Sequence, residues 1–153
     1  MKTLLAAAAL TAIATPALAE DWRLASTTPE NNAAFLIDID TNKKVTDGQR
    51  VRVLLVLEAG LEQYDAVETM NVIDCQTAKQ QVGPGTAYDG TGKIIAKDTD
   101  DTLTWEPIAP GSNYAHVADF ACGRKQISER RFNSGGSGGI PIAEVRAMLA
   151  EAK

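Results

Sequence analysis

The chain has 153 residues, 44% of them hydrophobic and only 5% aromatic, with a formal net charge of −5. That length suits one domain with a proper core. The acidic balance argues against nucleic acid, whose binding depends on basic patches that neutralise phosphates, and against an anionic membrane surface.

The first residues carry the pattern of a secretion signal. Lys2 gives the positive start and Leu4 to Ala14 the apolar run; Pro16 breaks it, and Ala17-Leu18-Ala19 supplies the small-x-small pattern that a signal peptidase cuts after. The run is too short and too poor in Leu, Ile and Phe to anchor well. Cleavage is expected between Ala19 and Glu20, with residues 1–19 as the signal. No cysteine stands at the cut to take a lipid, so the expected product is periplasmic or secreted, with no membrane anchor after cleavage. Removing 19 of the 153 residues leaves 134, with 14 basic and 20 acidic side chains, a net of −6.

Strand signals follow. Trp22-Arg23-Leu24 alternates large apolar and polar residues, and Ala34 to Asp40 puts Phe35, Ile37 and Ile39 on one face. Asp47-Gly48 marks a tight turn. Arg50 to Glu58 is the strongest strand, with Val51, Val53, Leu55 and Leu57 on one face; the other face begins with Arg50 and Arg52 and turns apolar at Leu54 and Val56. Burial on both sides over half its length predicts a central strand. Val67 to Cys75 alternates again. Gly83-Pro84-Gly85 predicts a short or bent strand, Asp89-Gly90 a turn, and Gly92 to Lys97 a last short strand. Pro107, Pro110 and Gly111 close the β region.

Ser112 to Cys122 reads as a helix. Ser112 can cap it, and Tyr114, Val117, Ala118 and Ala121 form one apolar stripe at i, i+3, i+4 and i+7. After Arg124 the chain becomes polar, and Ser134 to Gly139 is pure Gly and Ser, a flexible-linker composition. Pro141 starts a short amphipathic stretch with Ile142, Val145 and Leu149 on one side. Residues 125–153 are therefore expected to be a flexible tail outside the core, with Gly135 to Gly139 mobile.

Cys75 and Cys122 are the only cysteines. In an oxidising compartment such a pair normally closes into a disulfide, whereas a redox role needs a vicinal or Cys-x-x-Cys partner that this chain lacks. The bridge would pin the Ser112–Cys122 helix onto the sheet. The expected fold is α+β: an antiparallel sheet of five or six strands with a C-terminal helix tied to it by a disulfide.

Motifs for chemistry are weak. His116 is the only histidine, and no Gly-x-Ser-x-Gly accompanies it. Asp38-Ile39-Asp40-Thr41-Asn42 begins like a calcium loop, but Lys43 and Gln49 stand where that loop needs glycine and glutamate. Asp98, Asp100 and Asp101 read as a charged loop rather than a cation site. Gly90-Thr91-Gly92-Lys93 has the wrong spacing for a phosphate loop, and a β-turn leading into a strand accounts for it. No catalytic residue, metal ligand or cofactor is assigned.

From about Trp22 to Cys122 the landmarks resemble the surface-adhesin protein E-like domains of Gram-negative bacteria. The matching pieces are Trp22-Arg23-Leu24, Ile37-Asp38, Asp47-Gly48 with Val51-Arg52-Val53, Asp74-Cys75, and Gly92-Lys93-Ile94-Ile95. Trp105, Pro110-Gly111-Ser112 and Phe120-Ala121-Cys122 complete them. The resemblance covers a domain at residues 20–124. It implies a curved antiparallel sheet with a disulfide-tied helix, and a non-enzymatic, adhesin-like module that binds an extracellular or periplasmic protein. A small periplasmic inhibitor or accessory subunit of an enzyme is the alternative. Because one helix covers one face, the face carrying Leu54 and Val56 is expected to support a homodimer or a docked partner.

Overall fold

The computed structural model describes residues 20–133 and 139–153. The expected signal 1–19, and nearly all of the Gly/Ser stretch expected to be mobile, lie outside these residues. The strands are β1 (Trp22–Thr27), β2 (Ala33–Val45), β3 (Gly48–Leu57), β4 (Ala66–Asp74), β5 (Lys79–Tyr88), β6 (Ile94–Lys97), β7 (Glu106–Pro107) and β8 (Arg131–Phe132). The helices are α1 (Asn113–Ala121) and α2 (Ile142–Glu151).

The sheet runs β6-β5-β4-β3-β2-β1-β8, and β7 adds to β5. Every pairing is antiparallel. The fold class is as the sequence predicts, and β3 is central. The strand number rises to eight because β7 and β8, at two residues each, are too short to leave a periodic signal. The strand around Gly83-Pro84-Gly85 is also longer than expected. It continues through Gly83 because that residue lies against the Met70 carbonyl, where a Cβ would collide, beside a register shift in β4 between Thr69 and Asn71.

Alternation on β3 builds two cores. Val51 and Val53 face α1 with Ile37, Ile73, Val117, Ala118 and Ala121. Leu54 and Val56 face the other way, with Trp22, Leu36, Phe132, Ile142, Val145, Met148 and Leu149. The molecule is therefore three-layered, helix on sheet on helix.

On the first face, α1 forms as its sequence dictates. The Ser112 hydroxyl accepts from the Ala115 amide at 3.2 Å, and the Tyr114 ring meets Phe35 edge-on at 5.6 Å. Cys122 caps the C-terminus and bonds to Cys75 across 47 residues, with a Cα–Cα distance of 5.7 Å. Closing such a loop removes about 4 kcal/mol of unfolded-chain entropy.

On the second face the structure corrects the expected tail. Ile142, Val145, Met148 and Leu149 are buried on α2, at the i, i+3, i+6 and i+7 spacing of a core-facing stripe. Arg146 Nε donates to the Leu57 carbonyl at 2.7 Å and its guanidinium pairs with Asp65. Lys153 pairs with Glu58 at 2.5 Å. The physical reason is complementarity: the apolar half of β3 needed cover, and the last amphipathic stretch provides it. With that face covered, the ground for self-association through Leu54 and Val56 is gone.

Candidate functional site

The expected site pair, Cys75 and Cys122, is brought together as a disulfide at the end of β4. Ala19 lies outside the described residues, whereas Glu20 belongs to a partly buried ionic cluster described below. His116 is half-buried on α1 and takes part in no ion pair among the described residues.

The would-be calcium loop is a bulge. Register in β2 slips between Asp38 and Lys43, and side chains mend the ladder there. Thr41 Oγ1 donates to the Asp38 carbonyl at 2.7 Å and accepts from the Arg52 amide at 2.9 Å. The Asn42 amide donates to the Ala121 carbonyl at 3.3 Å, tying the bulge to α1. The Gly90–Lys93 segment is a turn: Asp89 Oδ1 accepts from the amides of Thr91 and Lys93 at 2.9 and 3.0 Å. Asp98 and Asp100 likewise accept from backbone amides two residues on, each at 2.9 Å. Those bonds hold Asp100 below the usual carboxylate range, the backbone amide of Thr102 contributing most. No group of three or more potential metal ligands converges among the described residues.

Sequence reasoning missed the cluster around Arg52. Its guanidinium meets Asp38 at 2.5 Å, Glu20 at 2.7 Å and Glu68 at 3.7 Å, and lies 4.9 Å from the centre of the Trp22 ring. Trp22 donates to Glu20 at 2.9 Å, and the Tyr88 hydroxyl donates to Glu68 at 3.3 Å. Burial pushes the Glu68 carboxyl up, outweighing the attraction of Arg52. Burial and the adjacent Glu68 charge push the Tyr88 hydroxyl up to about 12. These residues are scattered in sequence and meet only through strand register. The signal that could have found them was Arg52 itself, a charge inside the most apolar strand.

The sheet's other end looks different. Every residue from Lys93 to Pro107 is exposed, spanning β6, the acidic loop and β7. Ile94, Ile95, Leu103 and Trp105 are exposed large apolar residues of this stretch, and Val82 on neighbouring β5 is another. Among the described residues only Leu61 and Met70 are comparable elsewhere, and Met70 lies on β4, next to β5. Large apolar side chains are thus exposed mainly along one edge of the sheet.

Beside this edge lies a groove of about 460 Å³, between the β2–β3 turn, the end of β4 and Trp105. Gly48 sets its base. Its φ of +151° and its position against the Ile73 carbonyl, where a Cβ would collide, leave room for glycine alone. The groove offers hydrogen-bonding side chains and one ring, with no nucleophile–base pair.

The family model of the surface-adhesin protein E matches residues 22–123. The chain belongs to the surface-adhesin protein E family. No curated protein and no solved structure matches it. The matched region ends just after the cystine, so the sheet up to β7 and α1 belong to the family's shared part, while β8 and α2 lie beyond it. Family membership supports an adhesin-like surface protein and an exported or surface location. It suggests a non-enzymatic role. No helix among the described residues is long and apolar enough to cross a membrane.

Proposed function

We propose that this chain is an exported, adhesin-like binding module that captures a protein partner on the β5–β6–β7 edge. The observation that carries the reading is the unbroken exposure of Lys93 to Pro107, with Ile94, Ile95 and Leu103 projecting from it. β6 is the terminal strand on this side, so its outer backbone groups are free to pair with a partner strand. Lys93 precedes it and Lys97 is its last residue, and lysines at a strand's ends restrain indiscriminate edge pairing. Asp98, Asp100 and Asp101 lend the rim negative charge.

In this reading the signal is removed between Ala19 and Glu20 and the product is unlipidated; the intact mass of the exported protein tests both. Partner capture is tested by immobilising the protein against extracellular-matrix proteins and a periplasmic extract. Ile95→Lys and Leu103→Lys abolish capture if the edge is the surface. Capture that is unchanged in both variants removes the edge from the proposal. A periplasmic enzyme as the specific partner points instead to an inhibitor or accessory subunit.

A further inference from the structure

We infer that the groove beside Trp105 is a saccharide subsite, accepting a neutral hexose or N-acetylhexosamine unit. The inference stands apart from protein capture at the edge, because only Trp105 of its lining belongs to that exposed stretch. A volume of about 460 Å³ lies within the range of small-ligand sites. Its lining combines one exposed indole, Trp105, with Lys44, Asp47, Gln49, Asp74 and Gln76.

This chemistry selects among ligands. Two carboxylates against one ammonium disfavour a phosphate or any other anion. Apolar ligands find only Trp105, Val45 and the half-cystine Cys75 to bury against, too little to drive binding. A neutral polyol fits both halves of the lining. Its hydroxyls donate to the carboxylate and amide oxygens and accept from the Lys44 ammonium and the Gln49 and Gln76 amides. Its C–H face packs flat on the indole, as apolar groups do on aromatic rings.

The walls are also fixed before a ligand arrives. The Asp74 carboxylate is held in its own turn by the Gln76 amide at 2.8 Å and the Thr77 hydroxyl at 2.5 Å. Next to it, Cys75 is held by its disulfide, and its carbonyl accepts from Arg124 at 3.3 Å. On the opposite side, Gly48 seats the turn against Ile73. Such preorganisation lowers the ordering cost that otherwise defeats weak ligands.

The test is an NMR titration of the exported protein with glucose, galactose, N-acetylglucosamine and chitotriose. The expected result is a saturable shift of the Gly48, Gln49 and Gln76 amides and the Trp105 indole N–H, with Kd on the order of 1 mM. The buried Trp22 indole stays put and serves as the internal control. Trp105→Ala weakens binding about tenfold, while Trp105→Phe keeps a ring and keeps part of the affinity. Gln76→Ala, at an exposed position, gives a smaller loss. If none of the four sugars moves these resonances, or if Trp105→Ala binds like the parent, the inference is wrong. Shifts produced by polar peptides and by no sugar overturn it as well. Ile95→Lys separates the two readings: it leaves the sugar titration intact while removing capture at the edge.

Discussion

The two faces of the sheet are covered by helices of similar length held in different ways. On one face α1 is pinned by a covalent bond and lies inside the region matched by the family. On the other, α2 lies beyond that region and is held by four buried apolar side chains, Arg146 and a terminal ion pair. α1 buries only Val117, Ala118 and Ala121 outright, against the larger Ile142, Val145, Met148 and Leu149 of α2, so the covalent tie stands where α2 has apolar bulk. α1 stays near its face even when its packing loosens, whereas α2 must win its place from solution each time it opens.

The sharpest way to break the comparison is to end the chain after Asn133. Removing Ile142, Val145, Met148 and Leu149 bares Leu54 and Val56 and is expected to cost on the order of 5 kcal/mol, a large share of a domain's whole stability. Chemical denaturation measures this, and an unchanged midpoint would return residues 139–153 to the status of a tail. Cys75→Ser with Cys122→Ser comes next, with an expected loss of about 4 kcal/mol. Hydrogen exchange should then show α1 opening as readily as α2 does in the parent protein.

Much of the first face was legible in the sequence. Period-two alternation set β3 at the centre, and Ser112, the Tyr114–Ala121 stripe and the paired cysteines placed α1. The second face was not legible because the Gly/Ser stretch detaches Ile142, Val145 and Leu149 from everything they touch. Their partners, Trp22, Leu36 and Leu54, lie far upstream and are brought near only by tertiary folding. Two apolar faces on β3 against one helix signal that cover is missing, but not that the chain's own last helix supplies it rather than a second copy. At the candidate surface, exposure from Lys93 to Pro107 could not be read from residues such as Ile94 and Ile95, which look like core in any linear pattern.

Smaller perturbations sharpen the contrast. Arg146→Met keeps the stem of the side chain but removes the bond to the Leu57 carbonyl and the pair with Asp65. An expected loss of about 1–2 kcal/mol should appear as faster exchange in α2 with α1 unaffected.

The smallest effect is expected at Glu68, whose carboxyl is raised by burial in the Arg52 cluster. A raised carboxyl binds its proton more tightly in the folded state. Its contribution to stability is therefore fully present below the unfolded value, near 4.5, and is lost as pH rises through the folded one. Glu68→Gln, which cannot ionise, should match or slightly exceed the parent in melting temperature at pH 7. The difference should shrink as acid protonates Glu68 in the parent; a clear loss of stability at pH 7 would mean that the Arg52 attraction outweighs burial.

The cystine also decides how the fold answers a pull on its two ends. A pull on the two ends of this chain enters through β1 and leaves through α2, and the disulfide short-circuits the 47-residue span between Cys75 and Cys122. At about 3.4 Å per residue, that span holds roughly 160 Å of contour. Force on the ends cannot pay it out, so a molecule pulled in this way yields only the flanking segments until a reductant cuts the bond.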